Sequence, residues 1–136
     1  MRRLVNILVV LLLLLNGTGA LYGGLHLIVH PDGSSLGLGM HWIAHTAFDN
    51  YLIPGLLLFV FNGLFSFVVL ILLLTRNRLY PLFTVAQGVT LVSWIVVQVI
   101  LINTFNYMHL TMGLTGLGLV AGGYWLTIHA RLTAAA

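Results

Sequence analysis

The fold is decided by Tyr51–Thr75, which reads YLIPGLLLFVFNGLFSFVVLILLLT and contains no charged residue. On either side of it lie three further apolar stretches, namely Leu4–Tyr22, Pro81–Ile102 and Met108–Ile128. Each stretch has about 19 to 25 residues, and at about 1.5 Å per residue a helix of that length crosses roughly 30 Å of hydrocarbon. The sequence therefore predicts a protein made almost entirely of four membrane-spanning helices.

The composition supports a membrane protein and excludes several other classes. Only 5% of the 136 residues are charged and 60% are hydrophobic, whereas a soluble domain is about one quarter charged. Four helices use most of the chain, so residues 1–136 are predicted to form a single transmembrane domain. With no cysteine, disulfides and thiolate metal sites are excluded. Five scattered arginines form no basic patch, so nucleic acid is not an expected partner.

The arginines predict the orientation of the protein in the membrane. They lie before the first apolar stretch, between the second and third, and after the fourth: Arg2, Arg3, Arg76, Arg78 and Arg131. Because positive residues favour the cytoplasmic side, the N-terminus and the C-terminus are both expected to be cytoplasmic.

The first apolar stretch has a competing interpretation. Met1–Ala20 resembles a signal peptide that ends in a small-residue cleavage site, and cleavage there would leave three helices. The apolar stretch continues as far as Val29, which is too long for a typical signal peptide. A retained first helix is therefore favoured.

The connecting segments predict an antiparallel bundle. Arg76–Tyr80 and Asn103–Tyr107 are short, so consecutive helices are expected to be neighbours in an up-down four-helix arrangement. The longest connection follows the first helix, which Pro31–Gly33 is expected to end. Within this connection, Leu38–Phe48 is expected to form a short amphipathic helix at the outer membrane interface, with Trp42 at headgroup depth.

Polar and small residues recur along one face of each predicted helix. In chain order these faces carry Asn16, Gly19 and Gly23; Gly55, Phe59, Asn62 and Ser66; Gln87, Thr90, Trp94 and Gln98; and Thr111, Thr115, Gly118 and Gly122. The favoured interpretation is packing between helices, because an amide without a partner in hydrocarbon costs several kcal/mol. The alternative is a polar pocket lined by Asn62, Gln87 and Gln98, although the two glutamines lie at different depths and one small site cannot use both.

Five of the six histidines are predicted to lie on the outer side, at His26, His30, His41, His45 and His109. Two pairs are four residues apart, a spacing that places both imidazoles on one helix face and suits a metal ion such as zinc or copper. A haem with two histidine ligands would need His26 and His109 at matched depth. The favoured interpretation is that these are interfacial residues, because the chain has no glutamate and no longer ligand motif.

Three short motifs connect the chain with a known type of protein. Phe48–Gly55 reads FDNYLIPG, Leu58–Gly63 reads LFVFNG and Trp94–Gln98 reads WIVVQ. In these motifs the chain resembles a widespread, uncharacterised family of small bacterial four-span integral membrane proteins, over about residues 36 to 120. The resemblance implies a four-helix fold in a bacterial inner membrane and no particular activity. The candidate ligand-binding residues are Asp49, Asn62, Trp94 and Gln98.

The sequence favours a protein without enzymatic activity. No nucleophile has a base at a recognisable spacing, and no ionisable residue lies in the middle of a predicted helix, which disfavours a proton pump or a coupled transporter. The main hypothesis is an accessory subunit, or a module that binds a lipid, a quinone or another small apolar ligand, in a homo-oligomer or a larger membrane complex. The alternative is an outer-face histidine site for a metal or a haem, with a redox or metal-handling role.

Overall fold

Long helices make up almost the whole chain. The computed structural model describes residues 1–135, with side chains as far as residue 132. The helices are α1 (Arg2–Val29), α2 (Leu52–Leu74), α3 (Tyr80–Ile102) and α4 (Tyr107–Ala135), and the described part of the chain contains no strand. The predicted all-helical fold is therefore confirmed.

Three of these helices, α1, α2 and α3, are long and apolar enough to cross a membrane. They leave large apolar side chains exposed, among them Leu4 at 56%, Ile71 at 59% and Ile100 at 70%. Such a surface suits hydrocarbon, where exposed apolar side chains cost nothing. Helix α4 has 29 residues, and glycine and threonine dilute its apolar content.

The helices pack as two antiparallel pairs, α1 with α2 and α3 with α4, and glycine brings the backbones of each pair together. In the first pair, a Cβ built on Gly24 would lie 2.9 Å from the Gly55 carbonyl oxygen and 2.8 Å from the Phe59 nitrogen. In the second pair, a Cβ on Gly88 would lie 2.6 Å from the Gly116 carbonyl oxygen. Contacts this close leave room for hydrogen only, so glycine is required where the two backbones meet.

The apolar core that joins the two pairs lies toward the end of the bundle that carries the arginines, which we call the arginine end. All four helices contribute to it: Val9, Leu13, Val69, Leu73, Tyr80, Leu119 and Leu126. At the same end the Tyr80 hydroxyl donates a hydrogen bond of 3.2 Å to Asn6 Oδ1, which joins α3 to α1. This core and this hydrogen bond hold the two pairs to each other at the arginine end.

The connection between α1 and α2 folds over the opposite end of the bundle, which we call the loop end. The Tyr51 N–H donates to the Pro31 carbonyl at 2.8 Å, and the Tyr51 hydroxyl donates to the Gly39 carbonyl at 2.8 Å. Tyr51 also packs with Leu27 and Ile43 in a small buried cluster. Through its backbone and its side chain, Tyr51 thus fixes the connection to both helices that it joins.

The α-helix predicted over Leu38–Phe48 is wrong. Only Met40–Trp42 forms a helical turn there, and the turn is of the 3₁₀ type. Beyond it, the Thr46 hydroxyl donates to the Ile43 carbonyl at 2.7 Å and accepts the N–H of Phe48 at 3.2 Å. A threonine side chain that bonds to nearby backbone groups favours a turn over a further helical turn.

Candidate functional site

Helix α2 contains a π-helical segment, Leu58–Leu64, between two α-helical parts, Leu52–Leu57 and Phe65–Leu74. In a π-helix each N–H donates to the carbonyl five residues earlier, and the Phe65 N–H donates to the Val60 carbonyl in this way. Where the π pattern returns to the α-helical pattern, the acceptor advances by two residues instead of one. The carbonyl between them is passed over, which means that no N–H of its own helix donates to it. Segments of this kind are frequent at functional sites.

Side chains from the two neighbouring helices donate to the carbonyls near the end of this segment. Gln87 of α3 donates through Nε2 to the Phe61 carbonyl at 3.3 Å and to Asn62 Oδ1 at 3.4 Å. Asn16 of α1 donates through Nδ2 to the Asn62 carbonyl at 3.3 Å and to Ser66 Oγ at 2.8 Å. We call Asn16, Asn62, Ser66 and Gln87 the polar centre. It ties three helices together at the π-helical segment.

The polar centre is neutral and enclosed. None of its four side chains is more than 2% exposed. Its hydrogen bonds come from amides, a hydroxyl and backbone carbonyls, and none involves an ionisable side chain. Such groups can orient and bind through hydrogen bonds, but they supply neither a general base nor an activated nucleophile. The arrangement therefore suits positioning and not catalysis.

Of the four predicted ligand-binding residues, only Asn62 belongs to the polar centre. Trp94 and Gln98 are half-buried on α3, and Asp49 is exposed at the loop end. Within residues 1–135, no hydrogen bond joins these three residues to the polar centre. The glutamine that contacts Asn62 is Gln87.

The outer histidines do not converge in the described part of the chain. His30, His41 and His45 are exposed, while His26 is half-buried with its ring 4.3 Å from that of Tyr22. No group of three or more histidines, aspartates or glutamates among residues 1–135 is placed to hold a metal ion. The three-imidazole arrangement that a metal site requires is therefore not found there.

His109 differs from the other outer histidines because it is buried, with 2% of its surface exposed. Its Nδ1 accepts the Asn106 N–H at 3.2 Å, while Asn106 Oδ1 accepts the N–H groups of Met108 at 3.0 Å and of His109 at 3.2 Å. This reciprocal arrangement is a capping box at the start of α4, with histidine in the place usually taken by glutamate or glutamine. Sequence reasoning missed this role, and the Asn-x-x-His spacing is the signal that could have found it.

Two groups in the connection between α1 and α2 have a shifted pKa. The Asp32 carboxylate accepts the Ser34 hydroxyl at 2.7 Å and the Ser34 N–H at 3.1 Å, which lowers the pKa of Asp32. Burial raises the pKa of Tyr51, because the phenolate would lose its contact with water. The hydrogen bonds of Asp32 stabilise the turn, and burial keeps the Tyr51 hydroxyl protonated, as its donation to the Gly39 carbonyl requires.

A groove runs between α1 and α4 on the outside of the bundle. It has two adjoining parts, of about 350 Å³ and about 480 Å³, that share Leu12 and Gly118 in their lining. From Tyr107 to Trp125 it follows α4 for about 27 Å at 1.5 Å per residue. Apart from two threonines, the residues between these ends are apolar or glycine.

Comparison of the chain with protein-family models, with curated protein sequences and with solved structures found no match. The family resemblance in Phe48–Gly55 and Trp94–Gln98 therefore remains a prediction.

Proposed function

We propose that the protein is a non-enzymatic membrane module that binds one long hydrocarbon chain, the acyl chain of a lipid or the isoprenoid tail of a quinone, in the groove between α1 and α4. In this proposal all four helices cross a bacterial inner membrane and both termini are cytoplasmic. The observation that carries the proposal is the length and apolar lining of the groove.

The dimensions of the groove favour a chain that lies along the membrane normal. Its length of about 27 Å is close to the roughly 30 Å thickness of the hydrocarbon layer. Tyr107 and Trp125, at its two ends, are residue types that concentrate where hydrocarbon meets headgroups. A bound chain would therefore have its whole length inside the hydrocarbon layer.

The lining of the groove favours close contact with a chain. Gly118 and Gly122 carry no side chain, and a Cβ on either would lie 2.9 Å from an atom of Leu12 or Val9 on α1. In lipid the hydrophobic effect gives little association, so van der Waals contact must supply it. Because α1 and α4 approach each other closely at these glycines, a flexible chain that lies in the groove contacts both helices at once.

The enclosed polar centre supports a module that holds its ligand and does not transform it. Its four side chains are neutral and hydrogen bonded within the bundle. The groove itself presents two threonines, and both donate to carbonyls of their own helix. Neither region offers the acid–base pair that a reaction on a lipid or a quinone would need.

The topology is tested by cysteine labelling, for which the chain offers a background without native cysteine. Ser34→Cys and Phe105→Cys are expected to react with a membrane-impermeant maleimide from the outer side only, and Asn77→Cys from the cytoplasmic side only. Labelling of position 34 or 105 from the cytoplasmic side would contradict the four-span topology.

The groove is tested by native mass spectrometry of the protein extracted from bacterial membranes. The wild-type protein is expected to retain one lipid or quinone, identified by its mass, and Gly118→Leu to lose it because leucine fills the groove. The matched control is Gly113→Leu, since a Cβ at Gly113 meets no atom within 4 Å. Equal retention by the two variants, or a partner protein in place of the lipid, would contradict the proposal.

A further inference from the structure

Two amide side chains of the polar centre are only partly satisfied. Both N–H groups of Gln87 Nε2 have acceptors, the Phe61 carbonyl at 3.3 Å and Asn62 Oδ1 at 3.4 Å. Asn62 Nδ2 and Gln87 Oε1 are buried and have no hydrogen-bond partner among the described residues. The two side chains are 1% and 0% exposed, so neither atom reaches the surface of the bundle.

Turning the amides over does not remove the deficit. If Asn62 alone is turned, its Nδ2 faces Gln87 Nε2, and two donors oppose each other. If Gln87 alone is turned, its Oε1 faces the Phe61 carbonyl and Asn62 Oδ1, and acceptors oppose each other. If both are turned, Oε1 still faces the Phe61 carbonyl. Every arrangement leaves at least one buried donor and one buried acceptor to be matched from outside the side-chain pair.

We propose that the polar centre is a binding site for one water molecule, which accepts a hydrogen bond from Asn62 Nδ2 and donates one to Gln87 Oε1. Water fits because it donates and accepts at the same time, whereas a cation would be repelled by the Asn62 N–H and an anion by the Gln87 oxygen. Buried waters typically satisfy polar groups that the protein leaves unmatched, with two to four partners each.

The packing of the helices explains why a water belongs between α2 and α3. The glycines of α2 lie against α1, and Gly88 of α3 lies against α4, so these glycines do not bring the backbones of α2 and α3 together. The two helices meet through side chains, the Gln87 amide and an edge contact of Phe65 with Phe83 at 6.1 Å between ring centres. Side chains therefore set the distance between α2 and α3, and polar groups of both helices face the space between them. A bridging water in this space adds a contact between the two helix pairs. This inference is independent of the proposed function of the groove.

The experiment is nuclear magnetic resonance of the full chain in bilayers of deuterated lipid, with ¹⁵N in the side-chain amides of asparagine and glutamine. Magnetisation transfer from water to the Asn62 amide is expected. The matched control is the Asn16 amide, which lies in the same layer but donates to the Asn62 carbonyl and to Ser66 Oγ. Transfer to Asn62 that is no stronger than transfer to Asn16 would overturn the proposal.

A variant separates a bridging water from one that touches Asn62 alone. Gln87→Met keeps the length of the side chain and removes Oε1 together with the Nε2 donor, so the water loses its acceptor on α3 and transfer from water to the Asn62 amide is expected to fall severalfold. Unchanged transfer in Gln87→Met would overturn the bridge. The measurement on the wild-type protein decides the presence of water even if this variant fails to fold.

Discussion

The two helix pairs are assembled by the same kind of glycine contact, and in the first pair hydrogen bonds from a buried asparagine also join the two helices. In α3 and α4, Gly88, Gly116 and Gly123 bring the two backbones together. In α1 and α2, close glycine contacts are joined by the hydrogen bonds of Asn16 to the π-helical segment. From this difference we expect that backbone contact is sufficient to pair two regular helices, whereas a helix with a changed hydrogen-bonding pattern needs donors from its neighbours.

The largest effects are expected at the glycines that bring the two backbones of each pair together. Gly88→Ala places a Cβ 2.6 Å from a carbonyl oxygen, and Gly24→Ala places one 2.8 Å from a backbone nitrogen. Backbone atoms cannot move aside as a side chain can, so each substitution is expected to lower the free energy of unfolding by about 2–3 kcal/mol. Unfolding in mixed micelles, followed by circular dichroism, measures the change.

The control for these substitutions is Gly19→Ala, where a Cβ meets no atom within 4 Å. It is expected to leave stability unchanged or to raise it, by at most about 1 kcal/mol, because alanine favours the helix. If Gly88→Ala is as well tolerated as Gly19→Ala, the second pair is not held by backbone contact.

The next largest change in stability is expected at Asn16, whose side chain donates from α1 to α2. Asn16→Leu removes the hydrogen bond to the Asn62 carbonyl and the hydrogen bond to Ser66 Oγ, so α2 loses both bonds from α1. Polar contacts between helices in membranes contribute about 1–2 kcal/mol, so a loss of that size is expected in the same unfolding assay. A loss below the error of the assay would show that glycine contact alone holds α1 to α2.

A smaller effect is expected for the coupling between Asn62 and Gln87. Each single change to leucine leaves the other amide with fewer partners, while the double change removes both polar groups together. The double variant is therefore expected to be more stable than the sum of the single effects predicts, by about 1 kcal/mol. Additive effects would show that the two amides do not act as a unit.

The smallest effect is expected at Gln98, which is half-buried and makes no hydrogen bond to the polar centre. Gln98→Leu should change the free energy of unfolding by less than about 0.5 kcal/mol, because its amide remains partly exposed. Loss of a bound ligand with unchanged stability would instead assign Gln98 to a binding site. A change as large as that of Asn16→Leu would show that Gln98 has a buried partner.

The four helices could be predicted because apolar length and the position of charges depend on the sequence alone. The connection of Asn62 with Gln87 also follows from helical spacing, since both were placed on inward faces. The π-helical segment could not be predicted, because Gly55, Asn62 and Ser66 fit an α-helical face equally well. Carbonyls near its end accept hydrogen bonds from Asn16 and Gln87, which are distant in the sequence and adjacent only in the folded bundle.

In the connection between α1 and α2, the sequence spacing predicted a longer helix than the structure contains. His41 and His45 are four residues apart, but the helix that would align them is not formed beyond Trp42. The backbone there follows the hydrogen bonds of Thr46 and Tyr51 instead. A spacing of four has meaning only where a helix exists, and in this segment side-chain bonds to the backbone decided against one.

The π-helical segment also marks the place where evolution can change the length of α2. The seven residues Leu58–Leu64 span a length of helix axis that an α-helix would cover with fewer residues. The segment therefore behaves as an insertion inside a continuous helix. Loss of one residue there would restore an α-helix without turning Phe65–Leu74 relative to Leu52–Leu57, whereas a deletion elsewhere in α2 would rotate everything beyond it by about 100°. Homologous chains that differ in length within α2 should therefore differ at positions 58–64. Those with the shorter helix should also lack the amide donor at position 87, since the Phe61 carbonyl would no longer be passed over and would have an N–H of its own helix to accept.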